Sequence, residues 1–208
     1  MEPHHNGPLF VELNFYCRAA KNQDIEEYIR KKNLSHLGVP DLKGSGSFLF
    51  RNKRLRFIVM PKYGADLQTI LDDSKTHILS AKTAANIALQ MVSAREVLHN
   101  YYYELLVNIV SNSFFFLQLD CFEYLHSKGY VHKDLKGANV LFSQDHDHSK
   151  GALGKVYLVD FGLVSKYKNL GLHKAFEPDQ RSAHEGTLEY TSRDAHLGCK
   201  FFQILNFF

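Results

Sequence analysis

The sequence predicts an α+β fold, on three observations. Two helical patterns open the chain, a hairpin with a basic turn follows them, and short apolar runs between polar stretches take over after residue 129. A length of 208 residues suits one domain, and 45% hydrophobic with 23% charged residues excludes disordered, collagenous and coiled-coil classes. The net charge of +3 permits an acidic partner but does not argue for nucleic acid. Cys17, Cys121 and Cys199 stand far apart and read as reduced thiols of an intracellular protein. No charged-then-apolar leader opens the sequence, and its longest apolar stretch, residues 105–119, is broken by Asn108, Ser111, Asn112 and Ser113. That stretch is too short to cross a membrane, so the expectation is a soluble protein.

Each element has its own warrant. Residues 8–20 form a helix with Leu9, Leu13 and Tyr16 on one face and Glu12 beside them. Residues 22–32 form a second, capped by Asp24, with Glu26 and Glu27 in the first turn and Arg30, Lys31 and Lys32 in the last. Leu37-Gly38-Val39-Pro40 breaks helix, and Gly44-Ser45-Gly46 reads as a turn. Residues 47–50 and 55–60 pair as a hairpin across Arg51-Asn52-Lys53-Arg54. Asp66 opens a short helix and Ser80 a longer one. Residues 130–131, 140–142 and 156–159 are strands, the last two divided by the hydrophilic stretch 143–155. Asp145-His146-Asp147-His148 in that stretch reads as a solvated loop rather than a metal site.

The longer helix carries an interruption. Ala84, Ile87, Ala88 and Met91 share a face, and the 27 residues 92–118 follow. With those removed, Leu119, Phe122 and Leu125 continue the same stripe; left in as helix, 27 steps of about 100° turn the second half away. The segment makes a poor loop, because 16 of its 27 residues are hydrophobic, including Tyr101-Tyr102-Tyr103 and Phe114-Phe115-Phe116. Val-Ser can be spelled by the usual start of an intron, and Phe-Phe-Phe-Leu-Gln by its pyrimidine tract and terminal CAG. The expectation is a retained intron, with a lid or partner-binding helix as the alternative.

Three motifs then fall in one order. His132-Lys133-Asp134-Leu135-Lys136-Gly137-Ala138-Asn139 fits the H-x-D-L-x-x-x-N catalytic loop of protein kinases. Asp160-Phe161-Gly162 stands 21 residues after Asn139, and Gly186-Thr187 with Thr191-Ser192-Arg193-Asp194-Ala195-His196 follows. Phosphoryl transfer needs placement and charge neutralisation more than covalent chemistry. Asp134 is placed to accept a hydroxyl proton, Lys136 to reach the same phosphate, and Asn139 and Asp160 to offer magnesium its preferred hard oxygens.

Further stretches narrow the resemblance. Met1-Glu2-Pro3, Asn6-Gly7-Pro8-Leu9-Phe10, Glu12-Leu13-Asn14-Phe15-Tyr16, the Leu37–Pro40 stretch, Met60-Pro61-Lys62-Tyr63-Gly64-Ala65-Asp66-Leu67 and Tyr130-Val131-His132 resemble the vaccinia-related kinase family. So does the Ser192–His196 stretch in place of the usual A-P-E. The resemblance implies a partial protein-kinase-like fold, from the αC helix of the N-lobe through the activation segment of the C-lobe. It divides the chain into residues 1–60 (N-lobe), 61–198 (hinge and C-lobe), an insertion at 92–118 and an unrelated tail at 199–208. It implies a nuclear serine/threonine kinase using ATP and Mg2+ on chromatin-associated proteins such as histone tails or barrier-to-autointegration factor. Asp134, Lys136 and Thr187 would be catalytic, Asn139 and Asp160 would hold metal, and Glu12, Met60 (gatekeeper) and Tyr63 (hinge) would border the nucleotide. Lys133 replaces the arginine that senses activation-loop phosphorylation and lacks its fork, so phospho-gating should be weak. No Gly-rich loop or V-A-I-K lysine precedes Glu12. The expectation is therefore a fragment with impaired activity, and the rivals are a catalytically dead interaction module or a mis-spliced, non-functional product.

Overall fold

A computed structural model of the chain describes residues 1–4, 7–73, 119–144, 155–169, 172–173 and 186–190. The expectations for residues 74–118, for the Asp145–His148 stretch and for residues 191–208 lie outside the described residues.

Strand β1 (Glu2–Pro3) leads into helix α1 (Pro8–Ala19), and the join explains the Glu2 and Gly7-Pro8 positions. Pro8 occupies the first helical turn, where a missing N–H costs nothing. The Glu2 carboxylate accepts from the N–H of Phe10 at 3.0 Å, which Gly7 O shares at 3.2 Å, and faces the buried Arg56 at 3.8 Å. Gly7, at φ 145°, lies where a Cβ would collide with that carboxylate. The buried face of α1 is Glu12, Phe15, Tyr16 and Ala19. The expected Leu9–Leu13–Tyr16 stripe is thus rotated toward Phe15, because Phe15 stacks on Phe161 with ring centroids 4.3 Å apart.

Helix α2 (Asn22–Lys32) keeps its expected bounds but not its expected cap. Lys21 is the N-cap and makes no side-chain bond, while Asp24 in the first turn pairs with Lys128 at 3.5 Å. Strands β2 (Gly44–Phe50) and β3 (Lys53–Val59) pair antiparallel from Phe50↔Lys53 to Gly44↔Val59, and β1 adds to β3 in the order β1-β3-β2. Arg51 and Asn52 both take positive φ, the geometry of a tight two-residue hairpin turn. Gly44–Gly46 is strand, not turn; at Gly46 the Phe57 ring fills the place of a side chain.

Helix α3 (Leu67–Asp73) starts as expected, with Asp66 accepting from Thr69 N at 2.8 Å and from Thr69 Oγ1 at 2.7 Å. Helix α4 (Leu119–Ser127) buries Cys121, Tyr124 and Leu125 and leaves Phe122 half-buried. Tyr124 anchors it to α1 by donating to Ala19 O at 2.6 Å. Burial pushes the free Cys121 thiol up to about 12, so it is an inert core group; Cys17, also free, is exposed. Two short antiparallel pairs flank the His132–Asn139 stretch: β4 (Tyr130–Val131) with β7 (Ser165–Lys166), and β5 (Val140–Phe142) with β6 (Val156–Leu158). A further pair, β8 (Lys168–Asn169) with β9 (Leu172–His173), follows. Among the described residues no helix is long and apolar enough to cross a membrane. One core joins α1, α4 and Phe161, and a second joins Leu67, Val140, Phe142 and Val156 under α3.

Candidate active site

The site sits where β4 ends, β5 begins and β6 delivers Asp160. His132 follows β4 and is almost fully buried, 3% exposed. Its Nε2 donates to Val159 O at 3.1 Å, which leaves Nδ1 to accept from Asp134 N at 3.3 Å. Burial pushes its pKa down to about 4, so the ring is neutral and its tautomer fixed by the two bonds. The same ring meets Phe161 edge-on at 5.0 Å.

Asp134 is the hub. Lys136 Nζ donates to its Oδ2 at 2.8 Å, and Thr187 donates to its Oδ1 from both N (3.0 Å) and Oγ1 (2.8 Å). Asn139 Nδ2 donates to its backbone oxygen at 2.8 Å and to Oδ2 at 3.2 Å. Burial works against ionisation of this carboxyl, but the bonds from Lys136, Thr187 and Asn139 outweigh it and hold the pKa below the ordinary carboxylate value. Lys136 also donates to Thr187 Oγ1 at 2.9 Å, so the threonine hydroxyl is both donor and acceptor. Gly186, at φ 99°, supplies the left-handed turn that delivers Thr187.

Asn139 and Asp160 are brought alongside by the strand pair: Val159 N donates to Asn139 O at 2.9 Å, one residue before Asp160. Asp160 takes the left-handed conformation (φ 63°), is exposed, and accepts from Gly162 N at 3.3 Å. Lys133, beside Asp134, is likewise left-handed (φ 74°); two unusual backbones therefore flank the site. Glu12 of α1 reaches the same region from the other side, accepting from Phe161 N at 3.4 Å. Burial first, then the nearby Asp160 charge, pushes its pKa up to about 7.

The structure therefore brings Asp134, Lys136, Asn139 and Thr187 into one hydrogen-bonded cluster, with Asp160 and Glu12 at its edge. Met60 packs on the core, and Tyr63 turns its ring to Tyr157, 4.7 Å away. Sequence reasoning gave His132 no role; its signal was a histidine at a strand end inside an otherwise apolar layer. It also missed Glu2 and Arg56, whose contact depends on β1–β3 pairing.

The protein kinase domain family matches residues 108–194, which contain His132–Asn139, Asp160-Phe161-Gly162 and Thr187. The chain is 41% identical over 197 residues to nucleosomal histone kinase 1 of Drosophila melanogaster, covering 95% of this chain and 27% of that protein. It is 35% identical over 198 residues to the human serine/threonine-protein kinase VRK2, covering 95% of this chain and 32% of that protein. A solved structure of vaccinia related kinase 3 superposes with a TM-score of 0.69 at 30% identity, over 94% of this chain and 49% of that one. The chain thus spans about a third or less of these two curated relatives and about half of the solved chain.

Proposed function

This chain is related to the vaccinia-related kinases and has a kinase-like fold, and from that relationship we propose that it is built to transfer the γ-phosphate of ATP to serine or threonine hydroxyls. The observation that carries the reading is the Asp134 cluster: a buried carboxylate held ionised and oriented by Lys136, Thr187 and Asn139. In this reading Asp134 accepts the substrate hydroxyl proton and directs the oxygen, and Lys136 holds the phosphate oxygens as a point charge. Thr187 fixes the Asp134 rotamer on the side where a peptide would lie. His132 positions Asp134 through its backbone N–H.

Protein kinases generally use ATP and Mg2+, and the donor set suits that metal. The Asn139 amide nitrogen is spent on Asp134, which leaves its Oδ1 as the ligand end, and Asp160 adds an exposed carboxylate. Magnesium prefers hard oxygens and is commonly held by one or two carboxylates together with substrate phosphates. Bound there, it would neutralise charge on the phosphates; Asn139 and Asp160 would hold it. Glu12, Met60 and the main chain at Tyr63 would border the nucleotide.

Chromatin proteins are the proposed substrates and the nucleus the proposed place of action, supported by the name of the nucleosomal histone kinase relative. The test is phosphate transfer from labelled ATP to core histones by the intact chain, beside Asp134→Asn. Transfer by the former alone, however slow, supports the reading. No transfer from the intact chain, with nucleotide binding retained, would replace it with a non-catalytic binding module.

A further inference from the structure

We propose that Tyr157, backed by His36, is a positioning pair that braces the connector Met60–Tyr63 from its outer side and thereby sets nucleotide affinity without touching nucleotide. The proposal rests on the nucleotide-binding reading above. It begins with strand periodicity: Val156 and Leu158 of β6 are buried in the core, so Tyr157 between them faces the other way. There its ring lies 4.7 Å from the Tyr63 ring at 42°, and 5.9 Å from the His36 ring.

The loop behind this trio is tied to β6. His36 Nε2 donates to Val156 O at 3.1 Å, and Leu158 N donates to Gly38 O at 2.8 Å. Gly38 has φ +71°, and a Cβ there would stand 2.9 Å from Val156 O, so the approach requires glycine. Burial lowers the His36 pKa, which keeps the ring neutral at pH 7. The connector is held at both ends. Lys43 N donates to Val59 O at 2.8 Å before it; Gly64 N donates to Phe142 O at 2.8 Å and Phe142 N to Ala65 O at 3.1 Å after it. Between those ladder bonds, Tyr63 gives lateral support through Tyr157, and its hydroxyl lies by the Asp41 backbone of the same loop. Tyr157 thus links the connector, through Tyr63, to the loop preceding β2, through His36.

The experiment compares the intact chain with Tyr157→Ala and Tyr157→Phe. Amide hydrogen exchange over residues 60–66 reads the brace, and calorimetric titration with ADP and Mg2+ reads affinity. Tyr157→Ala should speed exchange at 60–66, leave residues 140–142 and 156–158 protected, and weaken ADP binding about two- to tenfold, the range of an aromatic pair. In phosphate transfer it should raise KM for ATP while leaving kcat unchanged. Tyr157→Phe keeps the ring that meets Tyr63 and should therefore keep exchange at 60–66 and ADP affinity close to the parent. Unchanged exchange and affinity in Tyr157→Ala would overturn the brace, as would a Tyr157→Phe defect equal to that of alanine. So would loss of β5–β6 protection together with affinity, which marks general loosening. If the parent binds no ADP, the functional reading fails, while exchange at 60–66 still decides whether the brace exists.

Discussion

Two carboxylates on opposite sides of this site, Asp134 and Glu12, are each 7% exposed, yet their pKa values move in opposite directions. Asp134 receives Lys136, Asn139 and two bonds from Thr187, and stays ionised below the ordinary carboxylate range. Glu12 receives only one long bond from Phe161 N, and burial first, then the Asp160 charge, raises its pKa to about 7. Burial works against ionisation at both; the donors aimed at Asp134 outweigh it, whereas at Glu12 the single bond does not and the Asp160 charge adds to it. The first region is built to hold a charge in place. The second takes on charge only near neutrality.

Removing the charge from the first region should have the largest effect. Asp134→Asn keeps the shape but cannot accept a proton, and should lower phosphate transfer by about 10²–10⁴-fold with ADP affinity within about twofold. Turnover and calorimetry on the same preparation check this; equal turnover would remove Asp134 from the mechanism.

The hinge between the regions is His132, which supports Asp134 and meets Phe161. Its folded pKa of about 4 lies below its ordinary 6.5, so the unfolded chain binds the extra proton. Its contribution is complete above about pH 6.5 and lost as pH falls toward 4, amounting to about 3 kcal/mol. Urea unfolding between pH 7 and 4 should show that decline, and His132→Gln should flatten it. A decline of the same steepness in the variant would assign it to other groups.

Glu12 has the opposite sign. Its raised pKa means that its favourable contribution is present below about 4.5 and lost as pH rises through about 7. Glu12→Gln should leave stability nearly unchanged at pH 4.5 and raise it at pH 8. The gain should be of order 1–2 kcal/mol, because the new amide NH2 needs a partner that offsets part of the benefit. Destabilisation at pH 8 would mean that the charge is compensated after all. Smallest of all, Gly162→Ala should cost about 1 kcal/mol, since its Cβ would stand 2.7 Å from Pro8 Cβ and push α1 away from Phe161.

How much of this was legible in sequence follows from how local each feature is. The bounds of α2, the Asp66 cap and the short strands at 130–131 and 140–142 depend on nearby residues, and the structure has them where the pattern puts them. The Asp134, Lys136 and Asn139 set was legible for the same reason: eight residues hold it together. The buried face of α1 was misread because Phe161, distant in sequence, chooses it. Gly44–Gly46 looked like a turn because glycine signals turns, whereas here a cross-strand ring occupies the missing side chain's place. Asp24 looked like a cap until Lys128 drew it into an ion pair. Opposite pKa directions could not be read from sequence at all, since they depend on Thr187 reaching Asp134, and on burial and Asp160 acting on Glu12, across long stretches of chain.

The balance between donors and burial, won by donors at Asp134 and by burial at Glu12, separates the two carboxylates. It is tested most directly by a carboxyl carbon-13 NMR titration of the intact chain with Asp and Glu labelled, assigned through Asp134→Asn and Glu12→Gln. Asp134 should stay ionised to below the ordinary carboxylate value, and Glu12 should titrate near pH 7. Both groups titrating together near pH 4, or Asp134 above Glu12, would contradict the account.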